Sequence, residues 1–584
     1  MSRRRPALST LSYTLAIGLG VIAMVQPGLA AVEIRVEGLE ESTLHDAVIA
    51  RLPLQRYRDD TELSPADIRH LHGRGPAAIR TALAPYGYTD PTIESDLEAL
   101  EGDDWRATYR VDPGEPVRVE SVTIELTGPA ADHPELAEWR ETYPLAVGDR
   151  LDHAAHDAAR DRLEALGREI GLFEAAFEQR RIEVDRAAGT ADITLHYRTG
   201  PRYRFGEFDF AGSSLGVDLI RRFAPMDPGD PYHGDQLIEL QRALLDSDYF
   251  SRVEVIPQPR EGEPVVDLQV NLTDNLPTRY TAGGGYGTDT GPRVRGGIER
   301  RYLNAAGHRT GVEAQVSAIS REAAAWYRIP LADPRREELA GRASLDETRT
   351  DTSEHTREQL RIALTRVPGR WSRTLSLGLE RERYRVADER DQSLLLMPGI
   401  QWQQTQVHYT GGRAHGWRAE FSLRGASEAV VSDTDLVRGD LQAGWVLPVT
   451  ERHRLRLRSR LGGTALAQTE DLPASLRYFA GGDRTLRGFG YQRLGPTDDQ
   501  GEVTGGSALA VVGVDYEHAL GESFALAVFH DAGNAYEPDA ANFRRSAGAG
   551  LRWRLPIGTL AVDFARAVDS EAGWRFHLYL RPDP

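Results

Sequence analysis

The chain has no cysteine, no lysine and only 4 methionines among 584 residues. Without thiols, disulfides and thiolate metal centres are excluded, which suits a chain that crosses an oxidising compartment. Without lysine, all 70 basic residues are arginine; 88 acidic ones bring the net charge to -18. The simplest source of that bias is a GC-rich genome. An acidic total also lacks the basic stripe that nucleic-acid binding requires. Long apolar runs are missing as well: beyond the N-terminal leader, none reaches the length of a membrane helix.

Catalytic constellations are equally scarce. The acidic run Glu101 to Asp104 has no nucleophile or base near it in sequence. No glycine-rich loop opens a helix, so no phosphate cradle is predicted. His153 and His156 stand three apart on a predicted helix, but a metal site needs a third ligand at suitable spacing. They read as solvated side chains. We therefore expect no enzyme, no cofactor and no metal.

What is present begins with a secretory leader. Arg3, Arg4 and Arg5 give the positive end, Leu15 to Val25 is mostly apolar, and Gly28-Leu29-Ala30 offers small residues for cleavage. Residues 1–30 are thus expected to be removed, leaving a chain that starts at Ala31.

Residues 276–584 alternate. Leu375, Leu377 and Leu379 are interleaved with Ser376, Gly378 and Glu380; Leu455, Leu457 and Leu461 with Arg454, Arg456, Arg458 and Arg460; Phe576, Leu578 and Leu580 with Arg575, His577 and Tyr579. Period two puts apolar groups on one face and charges on the other. A row of unpaired arginines cannot fill a dry sandwich core, but it can line a wet lumen. The region is predicted to be an antiparallel transmembrane β-barrel, leucines in lipid and arginines inside. At about nineteen residues per strand and turn, there is room for sixteen strands. A passive channel selecting anions would use such a lumen, but would leave the preceding residues without a role.

Residues 31–275 have another texture. Gly114-Glu-Pro-Val-Arg-Val-Glu-Ser-Val-Thr-Ile aligns with Gly200-Pro-Arg-Tyr-Arg-Phe-Gly-Glu-Phe-Asp-Phe, and Val32, Ile34 and Val36 begin a weaker copy. Each strand is followed by helical periodicity. Ser64-Pro65 opens a helix carrying Ile68, Leu71, Ile79 and Leu83; Asp152 caps one with Ala155, Ala159, Leu163, Leu166 and Ile170; Leu237, Leu240 and Leu244 mark a third. The helices end at Tyr86-Gly87-Tyr88, Gly171-Leu172-Phe173 and Asp248-Tyr249-Phe250, and two strands close each unit. The predicted order, β-α-α-β-β, occurs three times, over 31–113, 114–199 and 200–275.

Three such units before a barrel resemble the POTRA-plus-barrel insertases of bacterial outer membranes. Gly481-Gly-Asp-Arg-Thr-Leu-Arg-Gly-Phe-Gly-Tyr-Gln-Arg-Leu-Gly-Pro496 is similar to that family's sixth extracellular loop, and Phe529-His-Asp531-Ala-Gly533 to its Phe-x-Asp-x-Gly strand motif. The resemblance implies that loop 481–496 folds into the lumen through Arg487, Gly488 and Phe489, and that Phe529, Asp531 and Gly533 anchor it. It implies a lateral gate between the first and last barrel strands, here Gly283, Gly284 and Gly285 against Trp574, Phe576 and Leu578. The chain ends Leu580-Arg-Pro-Asp-Pro584 without the terminal aromatic common in these barrels, so Trp574 and Phe576 are expected to supply it. Within the family, three units and the 483–496 motif most resemble the TamA branch, the outer-membrane subunit of the translocation and assembly module. That branch implies assembly of β-barrel clients such as autotransporters, a TamB-like inner-membrane-anchored partner on the first unit (residues 32–40), and contact with lipid. Two-partner-secretion translocators are the alternative.

Overall fold

A computed structural model describes residues 32–57, 63–100, 104–410, 413–555, 558–570 and 573–581. The leader and most of the acidic run at 101–104 lie outside them. Two compact units emerge, residues 1–203 and 204–584.

The first unit holds two of the three repeats. In each, a three-stranded sheet has its last strand in the middle. Val32–Glu37 runs parallel to Trp105–Asp112, which pairs antiparallel with Thr92–Ala99; Arg118–Thr127, Thr190–Arg198 and Ala176–Asp185 repeat the pattern. Helices cover one face and supply the core. Leu44, Val48, Leu54, Ile68, Ile79 and Leu83 pack on Ala107 and Tyr109 in the first repeat, and Leu136, Leu163, Leu166 and Ile170 on Leu195 and Tyr197 in the second.

Two expectations need correction. Residues 65–83 do not form one helix but two, Pro65–Gly73 and Gly75–Leu83, preceded by further helices Ser42–Arg51 and Pro53–Arg56. The break lets Tyr109 pass: its ring would sit 2.6 Å (Cζ) from a Cβ at position 75, so the chain needs Gly75 there. Ser64 forms the cap as expected, accepting from the Asp67 N–H at 3.2 Å. Secondly, His156 is not a solvated side chain. It is buried, and its Nδ1 lies 2.7 Å from the Tyr143 hydroxyl. Burial holds its pKa below the usual histidine value, so the neutral ring is the one that folds here. The same burial pushes the Tyr143 hydroxyl up to about 12. His156 thus belongs to the packing of the second repeat.

The third repeat, Arg204–Ala211, Val265–Asp274 and Phe250–Pro259 in the same sheet order, belongs to the compact unit of the barrel. Its helix Gly234–Asp246 ends at Asp248, whose φ is +62°, where the first two repeats have Gly87 (+84°) and Gly171 (+85°). Aspartate tolerates the left-handed region better than most residues. The carboxylate is used: it lies 2.8 Å from Arg279 and 2.9 Å from Arg301, at the periphery of the barrel. The Tyr249 hydroxyl donates to the Gly307 carbonyl at 2.5 Å, so the junction is built from both sides.

From Thr278–Gly287 to Arg575–Arg581, sixteen strands among the described residues pair antiparallel with their sequence neighbours and close into a barrel. The alternation sets the two faces. Leu375, Leu377, Val512, Val514, Leu526, Val528 and Phe564 point outward; Glu380, Glu382, Asp515, Glu517, Asp531 and Asp563 are buried inside. Aromatics Trp371, Trp445, Phe524 and Trp553 stand outward at one end, as in the interfacial girdle of a membrane barrel. No described helix is long and apolar enough to cross a membrane.

Candidate functional site: a lumen loop and a thin seam

Residues 466–507 connect the strands His453–Ala465 and Ala508–Ala519 and fold into the barrel. Gly481 and Gly482 have φ near +100°, and a side chain at 481 would collide with the Gly490 carbonyl. Glycine is therefore required for the tight turn that presents Arg487. Gly488 presses against the wall, where a Cβ would stand 2.6 Å from the Ala567 nitrogen.

Arg487 is fully buried. Its Nε donates to Asp531 Oδ2 at 2.9 Å and Nη2 to Asp531 Oδ1 at 2.7 Å, a two-pronged bond. Nη2 also reaches Asp515 Oδ1 at 2.6 Å and Nη1 reaches Asp563 Oδ2 at 3.1 Å. The Phe529 ring lies under the guanidinium, 3.4 Å from its centroid, which adds a cation–π contact. Phe489 is nearly buried in the cluster around Leu486 and Leu509. At Gly533 φ is +149°, and a side chain would strike the Ala510 carbonyl. The structure thus brings Arg487, Gly488, Phe489, Phe529, Asp531 and Gly533 together.

Further charges surround this centre. Arg458 lies 2.6 Å from Asp531, Arg454 2.5 Å from Glu517, and Arg552 pairs with Asp563. Burial of so many carboxylates is tolerable only because each faces guanidinium groups. Sequence reasoning missed Asp515, Asp563 and Arg552, and placed Arg458 in the lumen without its partner Asp531. Inward parity beside Val512 and Val514 would have flagged Asp515, yet not its partner.

The loop also reaches both sides of the barrel's closing seam. His577 of the last strand donates from Nε2 to the Arg487 carbonyl at 2.7 Å. Asp289, just past the first strand, accepts from the Asp483 N–H at 2.6 Å and stands 3.6 Å from His577 Nδ1. The seam itself is thin. Among the described residues Gly287 opposite Tyr579 is its single registered pair, joined by a Thr288 N–H to Leu578 carbonyl bond at 3.2 Å, whereas Thr559–Ala565 matches Arg575–Arg581 over seven residues and every other neighbouring barrel pair over at least as many.

The expected gate residues do not face one another. Gly283, Gly284 and Gly285 lie opposite Arg295, Val294 and Arg293 of the second strand, and the 287–579 register places them beyond the level of Phe576 and Leu578. Antiparallel strands meet with opposite numbering, so the glycine run lies toward the end of the last strand. Trp574 precedes that strand and is exposed, with Phe576 about half exposed on the outer face.

A loop held inside the lumen, a thin seam and three units of a three-stranded sheet covered by helices define a membrane β-barrel with periplasmic-type modules attached. Residues 303–578 match the Omp85 superfamily domain, residues 33–113 the POTRA domain TamA domain 1, and residues 203–275 a POTRA domain described as a surface antigen variable number repeat. The outer membrane protein assembly factor BamA of Nitratidesulfovibrio vulgaris (strain Hildenborough) is 24% identical over 528 residues, covering 85% of this chain and 65% of that protein. BamA of Neorickettsia risticii (strain Illinois) is 23% identical over 421 residues, covering 65% and 55%. The chain therefore spans less than two thirds of the length of these relatives. The crystal structure of BamA from Haemophilus ducreyi lacking POTRA domains 1-3 shares the fold, with a TM-score of 0.67 at 17% identity over 79% of this chain and 99% of that one.

The barrel region of the chain is thus similar to the Omp85 superfamily domain, and the units before it are similar to POTRA domains. Its barrel spans the outer membrane and its POTRA domains are periplasmic. Members of this superfamily are non-enzymatic assembly or translocation proteins.

Proposed function

We propose that this protein assists insertion of β-barrel clients into the outer membrane through the seam between its first and last strands. The thin seam carries the reading. Strands joined so sparsely leave most N–H and C=O groups along the described seam without a strand partner and open to an incoming strand, whereas every other barrel strand is paired along both sides. Gly283–Gly285 add to this, because a glycine run weakens a strand and leaves both of its faces without side chains there. The loop, held by Arg487, touches both seam edges through His577 and Asp289, and so is placed to set how readily they part. A loop anchored inside the lumen disfavours a passive channel.

Within the superfamily, the TamA-type first domain supports a TamA-like role, including clients such as autotransporters and a TamB-like partner on the first POTRA unit. Val32–Glu37 is an edge of its sheet and free to accept an extended partner strand.

The chain's lack of cysteine makes the test clean. Gly287→Cys with Tyr579→Cys should form a disulfide across the seam. With the bond closed, client insertion into proteoliposomes is expected to fall to background and to recover on reduction. Undiminished insertion by fully cross-linked protein would refute the proposal.

A further inference from the structure

One region of the outer wall is used by neither the loop nor the seam. The outward positions of Ser372–Val386 read Leu375, Leu377, Leu379, then Arg381, Arg383, Arg385. Apolar residues give way to cations within one strand. The neighbouring strand changes at the same height, from Ile362 and Leu360 to Glu358 and Glu354, and the next from Leu345 to Glu347 and Arg349. Arg321 and Arg390 complete the patch on either side. Six arginines (321, 349, 381, 383, 385, 390) thus face three glutamates (347, 354, 358), an excess of three positive charges. Arg383 lies 3.0 Å from Glu358, Arg385 3.2 Å from Glu354, and Arg349 also pairs with Glu354.

The third POTRA unit fixes which end this is. It contacts the barrel around Gly307 and Leu331, so those turns are periplasmic and the arginine row is at the extracellular end. An outward arginine is costly at the bilayer midplane and nearly free at the interface, so the change from leucine to arginine marks the level of the headgroups.

Directly below the arginines the wall is hollow. Along one row of the sheet, Gly296, Ala314, Ala323, Leu345, Glu358 and Arg381 are successive neighbours. With Ala325 and Ala343 in the adjoining row, the small residues form the floor of a groove of about 990 Å³ whose upper end is Arg381. Its surface is mostly apolar, with Glu358 beside Arg381 at the upper end.

We propose that this face binds a multiply phosphorylated glycolipid of the outer leaflet, with its phosphates on Arg381, Arg383 and Arg385 and an acyl chain in the groove. Guanidinium groups hold phosphates through paired N–H donors and shed water more readily than ammonium groups. A lipid with one phosphate would use one or two of these cations; an excess of three spread over adjacent strands matches a headgroup with several negative charges. The site is independent of client insertion and rests on the membrane position alone.

Full-length protein in detergent is offered bisphosphorylated lipid A, monophosphorylated lipid A or phosphatidylglycerol, and bound lipid is read by native mass spectrometry. The bisphosphorylated form should be retained most. Arg381→Ala/Arg383→Ala/Arg385→Ala should lower its occupancy about tenfold, since each cation near an anionic headgroup contributes appreciably and the glutamates offset part of it. Ala325→Leu/Ala343→Leu, which fills the groove and keeps the charges, should weaken retention severalfold. Arg293→Ala/Arg295→Ala, at lumen-facing positions, should leave it unchanged. Heat-dependent gel migration shows that each variant is a folded barrel. Equal retention of the three lipids, undiminished binding by the triple variant, or an equal loss in the lumenal variant would each overturn the proposal.

Discussion

Arg487 answers to three carboxylates, which makes it more than half of a salt bridge. Asp515, Asp531 and Asp563 come from three different strands and converge on one guanidinium stacked over Phe529. Removing the cation leaves buried negative charges facing one another, a loss of about 3–5 kcal/mol by comparison with other broken buried pairs. Arg487→Ala is therefore expected to release the loop and to lower the temperature at which the folded band converts to the unfolded one in semi-native gels. Arg487→Lys should fall between, because an ammonium keeps the charge but cannot make the two-pronged bond to Asp531. Asp531→Asn should cost less than Arg487→Ala, since Asp515 and Asp563 still hold the loop. If Arg487→Ala converts at the wild-type temperature, the loop is held by its apolar residues instead.

Single elements were legible in the sequence wherever the information was local. The outward parity of Leu375, Leu377 and Leu379 follows from a period of two, and the caps at Ser64 and Asp152 follow from side chains that reach their own backbone. Helix Ser42–Arg51 was not legible, because its N-cap Glu41 makes no capping bond and it ends against Pro53. The glycine run lies in the first barrel strand, as its sequence suggests, but not level with Phe576 and Leu578. Which residues face each other across a closed barrel depends on the stagger accumulated around all its strands, and no local pattern carries it. The same holds for Arg487, whose partner motif at 529–533 was readable while Asp515 and Asp563 were not. Strand Val32–Glu37, as a sheet edge, has its own consequence. Arg35 points away from the core, so Arg35→Pro removes a donor and blocks strand addition with little loss of packing. If the first unit takes a TamB-like partner as proposed, its capture by the full-length protein should drop about tenfold or more, given how largely strand addition depends on backbone hydrogen bonds. Unaltered capture would place the partner elsewhere.

At the scale of the whole molecule, one residue ties the third POTRA unit to the first barrel strand. Asp248 ends the last helix of the third POTRA unit and holds Arg279, which lies in the first barrel strand, together with Arg301 at the foot of the second. A force on that unit is thereby applied to one edge of the seam, and the tight Tyr249–Gly307 bond keeps the lever short. The pair is about one-third to two-fifths exposed, so its contribution is screened and modest, about 0.4–1 kcal/mol. Asp248→Asn keeps a side chain that tolerates the +62° backbone angle and removes only the charge. The substitution should speed hydrogen exchange of the Arg279–Ala282 amides about two- to fivefold, with the strands at 508–536 unaffected. Asp248→Gly, which also relieves the backbone, should match it if charge is the cause. Unchanged exchange in both variants would mean that the first strand moves independently of the arm, and that any signal from the periplasmic domains enters the barrel by another route.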